Sequence, residues 1–266
     1  MKKTYKALLV GDVVGRCGRS ALAKALPQLQ WEYDVDLTVI NGENTTGGRG
    51  LSRQDMAFYR GLGIDAVTLG NHIFGHRDIL TLLPKEDRLV RPANLPPNTL
   101  GQPYQIISCG GLRVAVINLL GRVYMNMPAL DCPFRRAEEL LQELLPQTPV
   151  ILVDFHAEAT SEKLALAHFL DGRVTAVWGT HTHIQTNDAQ LLPRGTAYLT
   201  DVGMTGAADS ILGVEKDAVI SRFLSGKPSP FRPAEGEAVL SAALLEFSAE
   251  GKAIKIEPLQ RRVRPD

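Results

Sequence analysis

Residues 174–186 read VTAVWGTHTHIQT, an apolar, β-branched run that stops at two histidines, His181 and His183, separated by one threonine. The run lacks polar alternation, so it reads as a strand buried on both faces. Two imidazoles one residue apart at its end suit either a solvated loop or a metal site, because i and i+2 side chains of extended backbone point the same way. The same pattern recurs along the chain in KALLVGD, DLTVINGEN, DAVTLGNH, LRVAVINLLG, PVILVDFHAE and GTAYLTDVG. Between these runs lie helical spacings. Leu22, Ala25, Leu26 and Leu29 form an i, i+3, i+4, i+7 stripe, and RRAEELLQELL repeats it with charges on the other face. TSEKLALAHFLDG ends in Gly172, a helix stop. Strand and helix in alternation predict an α/β fold with a substantially parallel sheet. Towards the C-terminus, SGKPSPFRPAEGE reads as a long loop, and AVLSAALLEFSAEGKAIKIEPLQRRV as an antiparallel hairpin about Gly251 at a sheet edge.

Composition narrows the function classes. A chain of 266 residues buries a sizeable core without disulfide staples, and residues 1–266 read as a single domain. Its 29 basic and 29 acidic residues cancel, which argues against a broad footprint for duplex nucleic acid or an anionic membrane. A small charged substrate held in a local site remains open, as does a homo-oligomer. Cys17, Cys109 and Cys132 are scattered and odd in number, consistent with a reducing cytoplasm rather than a disulfide framework. In MKKTYKALLVGD the uninterrupted apolar run is Ala7 to Val10, short of the ~7–15 residues of a secretory core. No run approaches the ~18 residues that span a bilayer.

The polar residues that close the strands form a set. Asp12 follows ALLVG, Glu43 and Asn44 follow LTVING, and Asn71 and His72 follow AVTLG. His156 closes VILVDF, and His181 with His183 closes TAVWGT. One strand-end Asp or Asn is ordinarily a turn residue or helix cap. Five strands that each deliver such groups are a different matter, because the C-terminal ends of an open α/β sheet share one edge, where ligand sites form. Two carboxylates, two carboxamides and four imidazoles with no thiolate suit manganese, iron, zinc or nickel rather than a structural zinc. Eight candidates exceed the needs of one ion and suit two, ~3.5–4 Å apart with a shared carboxylate. The residual positive charge would dock a phosphate.

The motifs GD, GEN, GNH, a lone strand-end His and GTHTH resemble the calcineurin-like metallophosphoesterase superfamily. GDVVGRCGR, NGENTTGGRG, TLGNHIF, VDFHAEATSEK and GTHTHIQT followed by TDVGMTG are similar to its YmdB-type branch of bacterial 2′,3′-cyclic-nucleotide 2′-phosphodiesterases. The likeness runs from about Lys6 to Gly206 and continues weakly to the end. It implies a sandwich of mixed β-sheets flanked by helices and a cytoplasmic hydrolase of small nucleotides. It also implies two metal ions, with iron favoured over manganese. Departures from the wider superfamily fit the branch. Asp12 is followed by Val13 and Val14 where D-x-H is usual, Glu43 stands for the bridging Asp, Asn44 replaces the lost histidine, and Ile73 replaces a Glu after GNH. Carried over, Asp12, Glu43, Asn44 and His183 would hold one ion, and Glu43, Asn71, His156 and His181 the other. A hydroxide between them would attack phosphorus while His72, the general acid, protonates the departing ribose 2′-oxygen. Another phosphoester, RNA, or a regulatory role with an RNA-processing partner are the alternatives.

Other residues carry weaker readings. His76 reads as a solvated helix start, and His168 as an ordinary helix residue. TTGGRG lacks the Lys-Ser/Thr of a P-loop, but its Arg49 is within reach of a phosphate. Arg16, Arg19 and Arg122 have no support from spacing. Glu158 and Lys163 read either as helix-start residues or as groups that orient the site.

Overall fold

The computed structural model describes residues 4–127 and 129–264. The first three residues of MKKTYKALLVGD and the outer limits of the 1–266 unit lie outside the described residues. The chain runs through β1 (Thr4–Val10), β2 (Asp12–Val13), α1 (Gly15–Tyr33), β3 (Leu37–Asn41), α2 (Arg53–Gly61), β4 (Ala66–Thr68), α3 (Ile79–Leu82) and β5 (Leu89–Val90). Next come β6 (Tyr104–Cys109), β7 (Leu112–Leu120), α4 (Pro133–Leu144), β8 (Val150–His156), α5 (Thr160–Leu170) and β9 (Ala176–Thr180). The chain continues with β10 (Gln190–Leu191), β11 (Ala197–Leu199), β12 (Met204–Ala207), α6 (Lys216–Ser225), β13 (Ala238–Ser248) and β14 (Ala253–Val263).

These strands make two mixed sheets rather than one open sheet. The first has the order β2-β12-β13-β1-β3-β4-β5, with β14 on β13, and the second β10-β11-β9-β8-β7-β6. The β1-β3-β4-β5 half of the first sheet is parallel, as is β7-β8-β9-β11 in the second. The expected hairpin is present, with β13 antiparallel to β14. It is not confined to an edge, because β13 is hydrogen-bonded to β1 as well. The small and apolar side chains of AVLSAALLEF let that strand be covered on both faces.

Alternate residues of one strand feed different cores, which is why the strands read as continuously apolar. Ala7 and Leu9 of β1, Val114 and Val116 of β7 and Leu152 of β8 meet between the sheets around Trp178 and Phe247. Leu8 and Val10 face outward onto Leu22 and Leu26 of α1 and Met56 and Tyr59 of α2. Ala115, Ile117, Ile151 and Val153 face Leu140 and Leu144 of α4 and Leu166 and Leu170 of α5. The layers are therefore helix, sheet, sheet, helix. The C-terminal ends of β3, β4, β8 and β9 and the short β2 converge at one end of this sandwich. Among the described residues no helix is long and apolar enough to cross a membrane.

The inter-sheet core sets the stability. Phe247 is fully buried and stacks on Tyr5 at 6.0 Å between ring centroids. Phe247→Ala is expected to cost ~3–5 kcal/mol in urea unfolding. Trp31→Ala, on the exposed face of α1, is expected to stay within about 0.5 kcal/mol of the parent.

Candidate metal centre

The sandwich brings together all eight strand-end residues singled out in the sequence, but across the ends of two sheets. Asp12, Glu43, Asn44, Asn71 and His72 come from the first sheet, and His156, His181 and His183 from the second. The histidine pair departs from the extended geometry expected of it. Strand β9 ends at Thr180, and both His181 (φ 97°) and His183 (φ 64°) lie in the left-handed region, so they reach different neighbours.

One group centres on His156. Its Nε2 has Asn71 Oδ1 at 2.9 Å, His181 Nδ1 at 3.1 Å and Glu43 Oε1 at 3.2 Å. Glu43, His156 and His181 offer ligand atoms all within 4.8 Å of one another. The other group is His183 Nε2, 3.3 Å from Asn44 Oδ1 and 3.9 Å from Asp12 Oδ1. Asp12 is completely buried, and its Oδ1 has no hydrogen-bond partner among the described residues. Such an orphaned carboxylate oxygen is costly unless a cation meets it. One proton on His156 Nε2 likewise serves only one of the three acceptors around it, whereas a cation among them serves all. Gly70 completes the cradle, since a Cβ there would stand 2.3 Å from both Glu43 Oε2 and His156 Nε2. These residues fit a bound metal.

Hydrogen bonds from outside the cluster orient each imidazole. His183 Nδ1 donates to the Leu212 carbonyl at 2.9 Å, which leaves the lone pair on Nε2 facing Asn44. His181 Nε2 lies 3.0 Å from Glu158 Oε2, leaving Nδ1 to face inward. For His156 the partner is Thr180: its hydroxyl is 2.9 Å from Nδ1 and donates to Asp154 Oδ1 at 2.7 Å, so Nδ1 donates in turn and Nε2 faces the cluster. Asn44 is held by its own Nδ2, which donates to the Gly48 carbonyl at 3.0 Å. Gly48 carries φ 87°, a conformation that glycine adopts without strain.

Electrostatics follow from burial. Burial raises Asp12, with His183 and His156 opposing. Burial also pushes Glu43 up, but the charge and hydrogen bonds of His156 and His72 outweigh it and hold Glu43 well below the usual range. Burial lowers His156, yet Glu43, Asp12 and Asp154 overcome it and lift the imidazole to about 9. Burial beside His156 drops His181 to about 3. Without a cation, one imidazolium is left to neutralise a nest of carboxylates.

His72 stands at the rim. Its backbone N–H donates to Glu43 Oε2 at 2.7 Å, and its Nδ1 has Asn44 Nδ2 at 3.0 Å and Glu43 Oε1 at 3.1 Å. His76 accepts the Asp78 N–H at the start of α3, and His168 is exposed on α5. Arg16 pairs with Glu235, and Arg19 with Asp55. Glu158, left open in the sequence, orients His181. Lys163 is fully buried and holds the histidine loop, donating to the Thr180 carbonyl at 2.9 Å and to Asp201 Oδ2 at 2.7 Å. Asp201 also accepts the Thr182 N–H between the two histidines. Asp154 and Asp201 were not singled out from the sequence. The signal was there for Asp154, a charge inside the otherwise apolar VILVDF.

Comparison with known proteins identifies a family and a fold. A family model described as YmdB-like protein matches residues 8–259. The 2′,3′-cyclic-nucleotide 2′-phosphodiesterase of Bacillus subtilis (strain 168) is 46% identical over 253 residues, covering 95% of each chain. A crystal structure of a hypothetical protein from Thermus thermophilus superposes with TM-score 0.91 at 44% identity, covering 98% of this chain and 100% of that one. The structure of a novel phosphatase from Mycoplasma pneumoniae gives TM-score 0.93 at 34% identity, covering 98% and 95%. The fold is the calcineurin-like metallophosphoesterase sandwich.

Two substitutions probe the cradle. Thr180→Val keeps the strand but removes the hydroxyl between His156 and Asp154, and should weaken metal binding roughly 10–100-fold in a chelator competition. Gly70→Ala inserts a methyl where ligand atoms converge and should abolish stoichiometric metal by elemental analysis, with far-UV circular dichroism unchanged.

Proposed function

The chain belongs to the YmdB-like protein family, and on that premise we propose that it is a metal-dependent phosphodiesterase that opens 2′,3′-cyclic nucleotides to 3′-nucleotides. The observation that carries the reading is the buried, unpartnered Asp12 Oδ1 beside the converging Glu43, Asn71 and histidine ligands. Asp12, Asn44 and His183 would hold one ion and Asn71, His156 and His181 another, with Glu43 shared; iron is favoured and manganese is the alternative. Bound ions would supply Lewis acidity, an acidified water and compensation for phosphate charge.

The protein's own groups do the rest. With Glu43 engaged, the remaining partner of His72 Nδ1 is the Asn44 amide N–H, which donates to it and leaves the ring proton on Nε2. His72 lines the cavity beside the centre, so that proton goes to the ribose 2′-oxygen as its bond to phosphorus breaks. Lys163, Asp201 and Asp154 touch no substrate and act by fixing the histidines.

The same reading treats residues 1–266 as one domain, since strands such as β1, β7 and β8 each feed two cores. A cytoplasmic setting agrees with Cys17, Cys109 and Cys132, which form no disulfide among the described residues. Phosphomonoester hydrolysis is the competing activity, because the Mycoplasma pneumoniae relative is described as a phosphatase.

Chromatography of the iron- or manganese-loaded protein incubated with 2′,3′-cyclic AMP tests the reading. Accumulation of 3′-AMP is expected, whereas 2′-AMP, or faster release of phosphate from 3′-AMP, contradicts it. His72→Ala should lower kcat by ~10²–10⁴ with both ions retained. Loss of metal in that variant would remove His72 from the acid role.

A further inference from the structure

A cavity of about 510 Å³ opens beside the centre, and Asn44, His72 and His183 line it. That volume lies within the ~300–1,000 Å³ usual for small-molecule sites. The rest of its lining combines two chemistries. Leu212, Val214 and Phe231 give it apolar surface, and Arg49, Arg222 and Arg232 line the same cavity. The Arg222 guanidinium lies over the Phe231 ring, 5.1 Å from its centroid, and Phe231 as a residue remains 46% exposed.

The three arginines differ from those that brace the fold. Arg16, Arg19, Arg60, Arg136, Arg173 and Arg261 each pair with a carboxylate. Arg49, Arg222 and Arg232 have no carboxylate partner among the described residues. In a chain of zero net charge, guanidiniums without a carboxylate partner lining one cavity mark a place for anions. A cyclic phosphate at the metal centre does not need them. An exposed aromatic residue in the same lining, backed by a guanidinium, is the usual platform for a nucleobase.

We propose that this cavity seats the nucleoside of the substrate, with its base on Phe231 and a second phosphate, on the 5′ side of the ribose, among Arg49, Arg222 and Arg232. The substrate class is then a 2′,3′-cyclic phosphate that also carries a 5′-phosphate, the chemistry of the 3′ end of a cleaved RNA strand rather than of an isolated nucleoside cyclic phosphate. The inference rests on the nucleotide reading of the metal centre given above, and its test is a binding measurement that does not need turnover.

Calorimetric titration of the manganese-loaded protein with inorganic phosphate, 3′-AMP and adenosine 3′,5′-bisphosphate resolves the parts. Affinity should rise in that order, with the bisphosphate roughly tenfold tighter than 3′-AMP. Phe231→Ala should weaken both nucleotides roughly 5- to 150-fold. The double variant Arg222→Ala, Arg232→Ala should erase the advantage of the bisphosphate, and Trp31→Ala, on the exposed face of α1, should leave all three affinities unchanged. Equal affinity for 3′-AMP and inorganic phosphate, or a bisphosphate advantage that survives the double variant, overturns the proposal. If the binding pattern holds while 2′,3′-cyclic AMP is not hydrolysed, the nucleoside site stands and the proposed reaction falls. Turnover of that substrate with no bisphosphate preference leaves the reaction intact and removes the 5′-phosphate site.

Discussion

Two carboxylates, Asp12 and Glu43, are buried at the junction of two sheets, and the rest of the site answers to that expense. Removing a carboxylate from water costs several kcal/mol unless positive charge or donors meet it. Glu43 finds the His72 backbone N–H and two imidazoles, while Asp12 accepts only the His181 N–H on one oxygen and leaves the other bare. In the protein alone the surrounding carboxylates outweigh burial and lift His156 to about 9, so it carries the compensating proton. A divalent cation would relieve the same demand more fully, with the His156 Nε2 lone pair free to hold it. Burial of the acids therefore explains both the crowding of acceptors about His156 and the absence of any side chain at Gly70.

The four-layer sandwich makes such burial feasible. Parallel halves of both sheets send the C-terminal ends of their strands towards one end, so residues far apart in sequence meet on rigid supports. Behind them lies a further polar layer that is itself buried. Asp154 is lifted to about 6 by burial, opposed by His156 and by the hydroxyls of Thr68 and Thr180. Lys163 and Asp201 form a buried ion pair that also satisfies backbone groups on both sides of His181. Such a pair adds little net stability, but removing either partner is costly, so it pins the loop where exposed residues would let it drift.

Much of this was legible in the chain. Continuous apolar runs fixed the strands, and polar residues at their ends identified the ligand candidates, because periodicity and strand polarity are local properties. Three things were not. The single shared edge became the ends of two sheets, since pairing between distant strands leaves no local trace. The extended reading of Thr180–His183 failed because the fold holds both histidines at positive φ through bonds to Leu212, Glu158 and Asp12. The arginine-lined cavity draws on residues 49, 222 and 232, whose spacing encodes nothing.

Leu212 links the metal centre to that cavity. It is a non-glycine residue at φ 54°, a conformation that costs of order 1–3 kcal/mol and persists only where surrounding structure enforces it. Its carbonyl fixes the tautomer of His183, and its half-exposed side chain borders both the nucleoside cavity and the smaller recess over Glu43 and His181. A displacement of this one residue would alter the His183 imidazole and the cavity lining at the same time. Binding in the cavity and retention of an ion by His183, as proposed, would thus both depend on one backbone position.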